Sequence, residues 1–325
     1  MEEPMTAVPS PVPSDPDPAP AVPTAVVARL AAVTHRYGEH AALDGVDLEV
    51  RAGEVLALLG PNGAGKSTAL GLLTGLLRVQ QGRVELCGGD PRDAASRQGL
   101  GVMLQEARLP ETLRVGELVR QFSAAYPAPR PPTETLALAG LEGLARRPYG
   151  ALSGGQQRRV QFALAICGRP RVVLVDEPTT GLDVEARRAF WAVLRGLRLE
   201  GAALVLTTHY LEEADALADR VAVIRSGRIV AEGTPMQLKA RAGGTRLRCR
   251  SALELAEVAR IPGVREARRD GPTLHLVCAD ASATVRQLMA RDAQLSDLEV
   301  LPASLEDSIL GLTATHEPAR PGALA

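Results

Sequence analysis

Gly60-Pro61-Asn62-Gly63-Ala64-Gly65-Lys66-Ser67-Thr68 reads G-x-x-x-x-G-K-S, a phosphate-binding loop. The run before it, Val55 to Leu59, is short and apolar, as a buried strand would be. The run after it, Thr68 to Leu77, is compatible with a helix apart from two glycines. Strand, glycine loop and helix start form the context the motif requires. The glycines let backbone N–H groups curl around a polyphosphate, and the helix N-terminus adds the positive end of its dipole. In this pattern Lys66 reaches the β- and γ-phosphates and Ser67 sits on Mg²⁺.

Composition sets the frame. The 325 residues suit one large domain, or two with a tail, and an apolar content of 46% is ample for a core. The net charge of −1 generates no field that calls for nucleic acid or an anionic membrane. Lys66 and Lys239 are the lysines of a chain otherwise rich in arginine, so the lysine in the loop stands out. Cys87, Cys167, Cys249 and Cys278 form no C-x-x-C pair and read as buried free thiols. The five histidines do not cluster with them, which argues against zinc. No window approaches about 18 uninterrupted apolar residues, so no membrane span is expected, and no secretory leader either.

Residues 1–24 carry repeated prolines and read as a disordered tail, inert or carrying a docking motif. Val26 to Val33 begins the folded part as a strand. Tyr37 follows in a loop; its ring is placed either to stack on an adenine or to sit half-buried against the protein. Val46 to Val50 alternates as an edge strand does. A helix-rich stretch to about residue 170 contains Leu152-Ser153-Gly154-Gly155-Gln156, a second helix start able to face an anion.

Val172 to Val175 is a buried-strand run ending in Asp176 and Glu177. Acid at the tip of a central strand is costly unless a metal or water uses it. Asp176 is suited to hold Mg²⁺ and Glu177 to polarise an attacking water. Ala203 to Thr208 is the next buried strand, and His209 at its tip is placed to touch a γ-phosphate. Leu211 to Ala218 reads as a helix with Glu212, Glu213 and Asp215 on its polar side. After Gly243-Gly244 the elements run β-α-β-β-α-β, the ferredoxin-like order, followed by an amphipathic helix Leu305 to Leu312. Arg246, Arg248 and Arg250 alternate on one strand and read as a solvated edge.

Together these elements resemble the ATPase subunit of an ABC transporter over roughly residues 26 to 240. Tyr37 matches the aromatic loop, Gly60 to Thr68 the Walker A motif and Gln105 the Q-loop. Leu152 to Gln156 matches the signature, Val172 to Asp176 with Glu177 the Walker B region, Asp183 the D-loop and His209 the switch histidine. The resemblance implies an α/β fold: a P-loop nucleotide-binding domain with a RecA-like core, an antiparallel β subdomain and a helical subdomain. A small α+β ferredoxin-like domain follows. The boundaries this suggests are 25–242 for the ATPase domain with its helical part near 106–170, 243–313 for the accessory domain, and 314–325 for a tail.

The resemblance also implies a mechanism. Two copies pair head to tail as a homodimer. ATP is held by Walker A of one copy, including Gly60, Pro61, Asn62, Gly63, Ala64, Gly65 and Thr68, and by Ser153, Gly154, Gly155 and Gln156 of the other. Gln105 completes the Mg²⁺ site with Ser67 and Asp176. A separate transmembrane permease takes up the motion at the cytoplasmic face of the membrane. Tyr210-Leu211-Glu212-Glu213-Ala214 and Pro302-Ala303-Ser304-Leu305-Glu306-Asp307 are similar to stretches of drug- and antibiotic-exporting members. An importer ATPase and a soluble ATPase acting on nucleic acid are the competing readings. The second lacks support, because the chain has one phosphate loop, no long heptad run and few aromatic residues.

Overall fold

The computed structural model describes residues 25–301, apart from residues 106, 180, 181, 209, 242 and 243. The tail at 1–24, His209, the segment 302–307, the helix expected at Leu305 to Leu312 and the tail at 314–325 therefore lie outside the described residues.

The chain enters as β1 (Val26–Tyr37), returns as β2 (His40–Arg51), and crosses to β3 (Val55–Leu59). The helix Lys66–Leu73 follows, then β4 (Gln81–Leu86) and β5 (Leu100–Met103). After the helices Val115–Ser123, Pro132–Leu138 and Gly154–Ile166 come β6 (Val172–Asp176), the helix Val184–Leu199, and β7 (Ala203–Thr207). The hairpin β8 (Arg220–Arg225) and β9 (Arg228–Gly233) closes this part.

Among the described residues β2-β1-β4 form an antiparallel sheet and β5-β6-β7-β3-β8-β9 a six-stranded one. The larger sheet is parallel except for the β8–β9 hairpin. It is buried on both faces, as parallel sheets are. Along β6, Val172 and Leu174 join the core shared with β1, β2 and the helix Lys66–Leu73. Val173 and Val175 join the opposite core, with Phe162, Phe190 and Leu194 from the helices. This period of two explains why the strand reads as an unbroken apolar run. Parallel pairing also aligns the C-terminal ends of β3, β6 and β7, and the loops there form the candidate site.

The helix after the phosphate loop is shorter than its sequence suggests. Thr74 ends it, and Gly75 takes φ +73°, a backbone that side chains resist. The chain then folds back so that Leu77 N–H donates to the Gly71 carbonyl at 2.9 Å.

The last described strands are β10 (Thr245–Arg250), β11 (Val264–Asp270), β12 (Thr273–Cys278) and β13 (Ser296–Leu301). They lie in the order β11-β12-β10-β13, all antiparallel, the ferredoxin-like arrangement. The helices Leu255–Val258 and Ala281–Arg291 complete it, around a core of Leu247, Leu274, Leu276 and Leu288. The expectation of an arginine-studded edge is overturned here. β10 is an inner strand between β12 and β13. Arg248 and Arg250 pair across to Glu299 and Asp297 on β13, so opposite charges on neighbouring strands account for the basic alternation there.

Candidate functional site

A cleft of about 380 Å³ opens where β1, β3 and β6 end and β2 begins. Tyr37, His40 and Ala42 line one side, and Asn62, Gly63, Gly65, Lys66, Ser67 and Thr68 form the floor. Gln105, Asp176 and Glu177 close the far side. Residues distant in sequence are thus brought together by strand order alone.

The loop is shaped by its glycines. Gly65 adopts φ +113°, and a Cβ there would stand 2.3 Å from the Ala42 carbonyl oxygen. A Cβ on Gly60 would stand 2.2 Å from the Ile224 carbonyl oxygen, so only glycine lets the loop lie against β8. Ala64 is buried beneath, and its carbonyl accepts from Gly227 N–H at 3.0 Å. Lys66 starts the helix, and its Nζ donates to the carbonyls of Gly60 at 2.6 Å and Pro61 at 3.1 Å. The ammonium is folded over the loop that frames it.

At the tip of β6, Asp176 accepts from the Thr207 hydroxyl on β7. Glu177 has φ +47°, a left-handed backbone that non-glycine residues disfavour. Its N–H donates to the Thr207 carbonyl at 3.0 Å. Gln105 Nε2 donates to Glu177 Oε2 at 3.2 Å. A strained backbone at the tip of a central strand, aimed into a cleft, is a feature of functional sites.

Leu152 to Gln156 lies outside this cleft. Ser153 caps the helix Gly154–Ile166, its hydroxyl accepting from Gln156 N–H at 3.3 Å while the Gln156 amide oxygen accepts from Ser153 N–H at 3.1 Å. Ser153 and Gly154 are exposed, and a Cβ on Gly154 would meet nothing within 4 Å. Asp183 caps the helix Val184–Leu199 by accepting from Ala186 N–H at 2.7 Å.

The family model described as ABC transporter matches residues 43–180. A daunorubicin resistance ATP-binding protein of Streptomyces coeruleorubidus is 37% identical over 306 residues, spanning 88% of this chain and 94% of that protein. The chain belongs to the ABC transporter family. Nod factor export ATP-binding protein I of Paraburkholderia xenovorans (strain LB400) is 38% identical over 301 residues, 86% of this chain and 95% of that one. A bacterial ABC transporter cassette solved in dimeric form superposes with a TM-score of 0.58 at 28% identity, covering 64% of this chain and 98% of the cassette. The chain is accordingly an ATP-binding, ATP-hydrolysing subunit of this family.

In this ABC ATPase the charges of the cleft act on one another. Burial pulls the Lys66 ammonium below the usual lysine range, and the Glu177 and Asp176 carboxylates push it back up. Residues beyond the sequence candidates include His40, which lines the cleft, and Thr207, which orients Asp176. A third, Arg158, lies on the helix behind Ser153 and donates to backbone carbonyls on both sides of the cleft's far wall. A further correction concerns Glu213, expected on the polar side of its helix. It is fully buried, and Trp191 Nε1 donates to its Oε1 at 3.1 Å. No helix among the described residues is long and apolar enough to cross a membrane.

Proposed function

We propose that this ABC ATPase drives an export complex, with two copies pairing so that each cleft is completed by the other copy's Ser153, Gly154 and Gly155. The carrying observation is the separation of parts. Lys66, Ser67, Gln105, Asp176 and Glu177 share one cleft, while the exposed helix N-terminus at Ser153 does not line it. A helix start that offers N–H groups to an anion can complete a phosphate site carried on another surface. The dimeric cassette among the similar structures supports the same reading.

Within the cleft, the loop N–H groups and Lys66 hold the polyphosphate, and Tyr37 offers its exposed ring to the base. Glu177 accepts a proton from the attacking water. Gln105 and His209 orient that water and sense the terminal phosphate; His209 lies outside the described residues. Asp183, at the start of its helix, serves in this reading as a contact to the partner copy.

The donors present fit Mg²⁺. Ser67 supplies a hydroxyl, Asp176 a carboxylate held by Thr207, and Gln105 an amide oxygen. Bound there, Mg²⁺ would supply positive charge to neutralise the phosphate oxygens.

Export as the direction, and a small-molecule drug or a Nod factor as the kind of cargo, rest on the names of the relatives. The permease is a separate polypeptide, and the ATPase sits on its cytoplasmic face. The test is cross-linking and isolation of the full chain from its native membrane. Export predicts recovery of a polytopic membrane protein that raises ATP turnover. Recovery together with a substrate-binding protein would turn the reading to import.

A further inference from the structure

We infer that Arg158 is a positioning residue that transmits the placement of the Ser153 helix to Glu177, an inference that rests on the proposed hydrolytic role of that carboxylate. Arg158 lies on the helix Gly154–Ile166. Its Nη1 donates to the carbonyls of Leu104 at 3.0 Å and Gln105 at 2.8 Å, and to Gln161 Oε1 at 3.2 Å. Its Nη2 donates to the carbonyls of Asp176 at 3.2 Å and Glu177 at 2.6 Å. One guanidinium therefore grips the backbones of both partners in the Gln105–Glu177 hydrogen bond.

The planar fork is what makes this possible. Arginine presents donors in fixed directions and can serve two separated pairs of acceptors, whereas a lysine ammonium is a point charge on a flexible stem. Glu177 needs the support, because its φ of +47° is disfavoured and persists only where neighbours hold it. Among the described residues, Thr207, from the core strand, and Arg158, from the helix that begins at Ser153, bond its backbone. The first is fixed by the sheet. The second moves whenever its helix moves, so contact at Ser153 is felt at the carboxylate. Burial pulls the half-buried guanidinium below the usual arginine range, and the Asp176 and Glu177 carboxylates oppose that pull.

The test is steady-state ATP turnover of the full chain carrying Arg158→Gln, with Arg158→Lys as the milder variant. Glu177→Gln serves as the control on the underlying reading. Displacing a reacting group by a fraction of an ångström costs about 10- to 100-fold in rate. Arg158→Gln is expected to lower kcat by that factor while the KM for ATP stays within about twofold, and Arg158→Lys to fall between. Gln105→Ala is expected to cost much less in the Arg158→Gln background than alone, since both act on one contact. In the Glu177→Gln background, ATP-dependent dimers still form with Arg158→Gln, which separates positioning from misfolding. Unchanged kcat for Arg158→Gln, or strict additivity of the two substitutions, would overturn the inference. If Glu177→Gln itself keeps full turnover, the assignment of the carboxylate fails first, whatever Arg158 does.

Discussion

Gln105 Nε2 stands 3.2 Å from Glu177 Oε2, a side-chain contact that joins the segment after β5 to the end of β6 along the far wall of the cleft. Substitution Gln105→Ala removes it. We expect kcat for ATP to fall by about 10-fold or more while nucleotide affinity stays within a few-fold, because the loop still holds the phosphates. Turnover and equilibrium nucleotide binding on the same preparation check this.

Lys66 behaves in the opposite way. Its ammonium lies over the loop on the Gly60 and Pro61 carbonyls, ready to exchange them for phosphate oxygens. A charge-assisted hydrogen bond contributes about 1.5–3 kcal/mol, so Lys66→Ala is expected to weaken ATP binding by roughly 10- to 100-fold. Titration with a fluorescent ATP analogue measures the loss.

Gly65→Ala attacks the same loop through its backbone. The φ of +113° and the approach to the Ala42 carbonyl leave no room for a methyl group. Strain and overpacking together cost about 2–4 kcal/mol. The urea midpoint is expected to drop and ATP affinity with it; a midpoint equal to wild type would mean that the loop relaxes freely.

Arg220 ties the six-stranded sheet to the β2-β1-β4 sheet. It pairs with Glu54 at 2.6 Å and with Glu232, and it donates to the Glu49 carbonyl, with only 12% of its side chain exposed. Removing one partner of such a buried cluster costs about 3–5 kcal/mol, because the remaining carboxylates keep their charge without it. Arg220→Ala is therefore expected to lower stability by several kcal/mol while leaving the cleft residues in place. Chemical denaturation reads the first and nucleotide binding to the folded fraction the second.

The cleft was legible in the sequence where chemistry is local. Gly60 to Thr68 carries its own geometry, and Asp176 and Glu177 announce themselves as acid at the end of an apolar strand. Arg158 left no such mark. Its partners are carbonyl oxygens, which every residue has, and they lie more than fifty residues before it and about twenty after. Glu213 and the arginines of β10 were misplaced for a related reason. Whether a helix face is covered, or a strand has neighbours on both sides, is settled by long-range packing. Trp191 covers Glu213, and β13 pairs beside β10. The ferredoxin-like strand order, by contrast, follows from element order and the handedness of crossovers.

The central claim is that Glu177 performs hydrolysis in a cleft closed by a second copy. The most direct measurement is ATP turnover together with solution mass in MgATP, for wild type and Glu177→Gln. The account predicts that the substitution slows turnover by at least ~10²-fold and traps an ATP-bound dimer. A variant that turns over ATP at the wild-type rate, or that loses turnover while remaining a monomer with ATP bound, would contradict it.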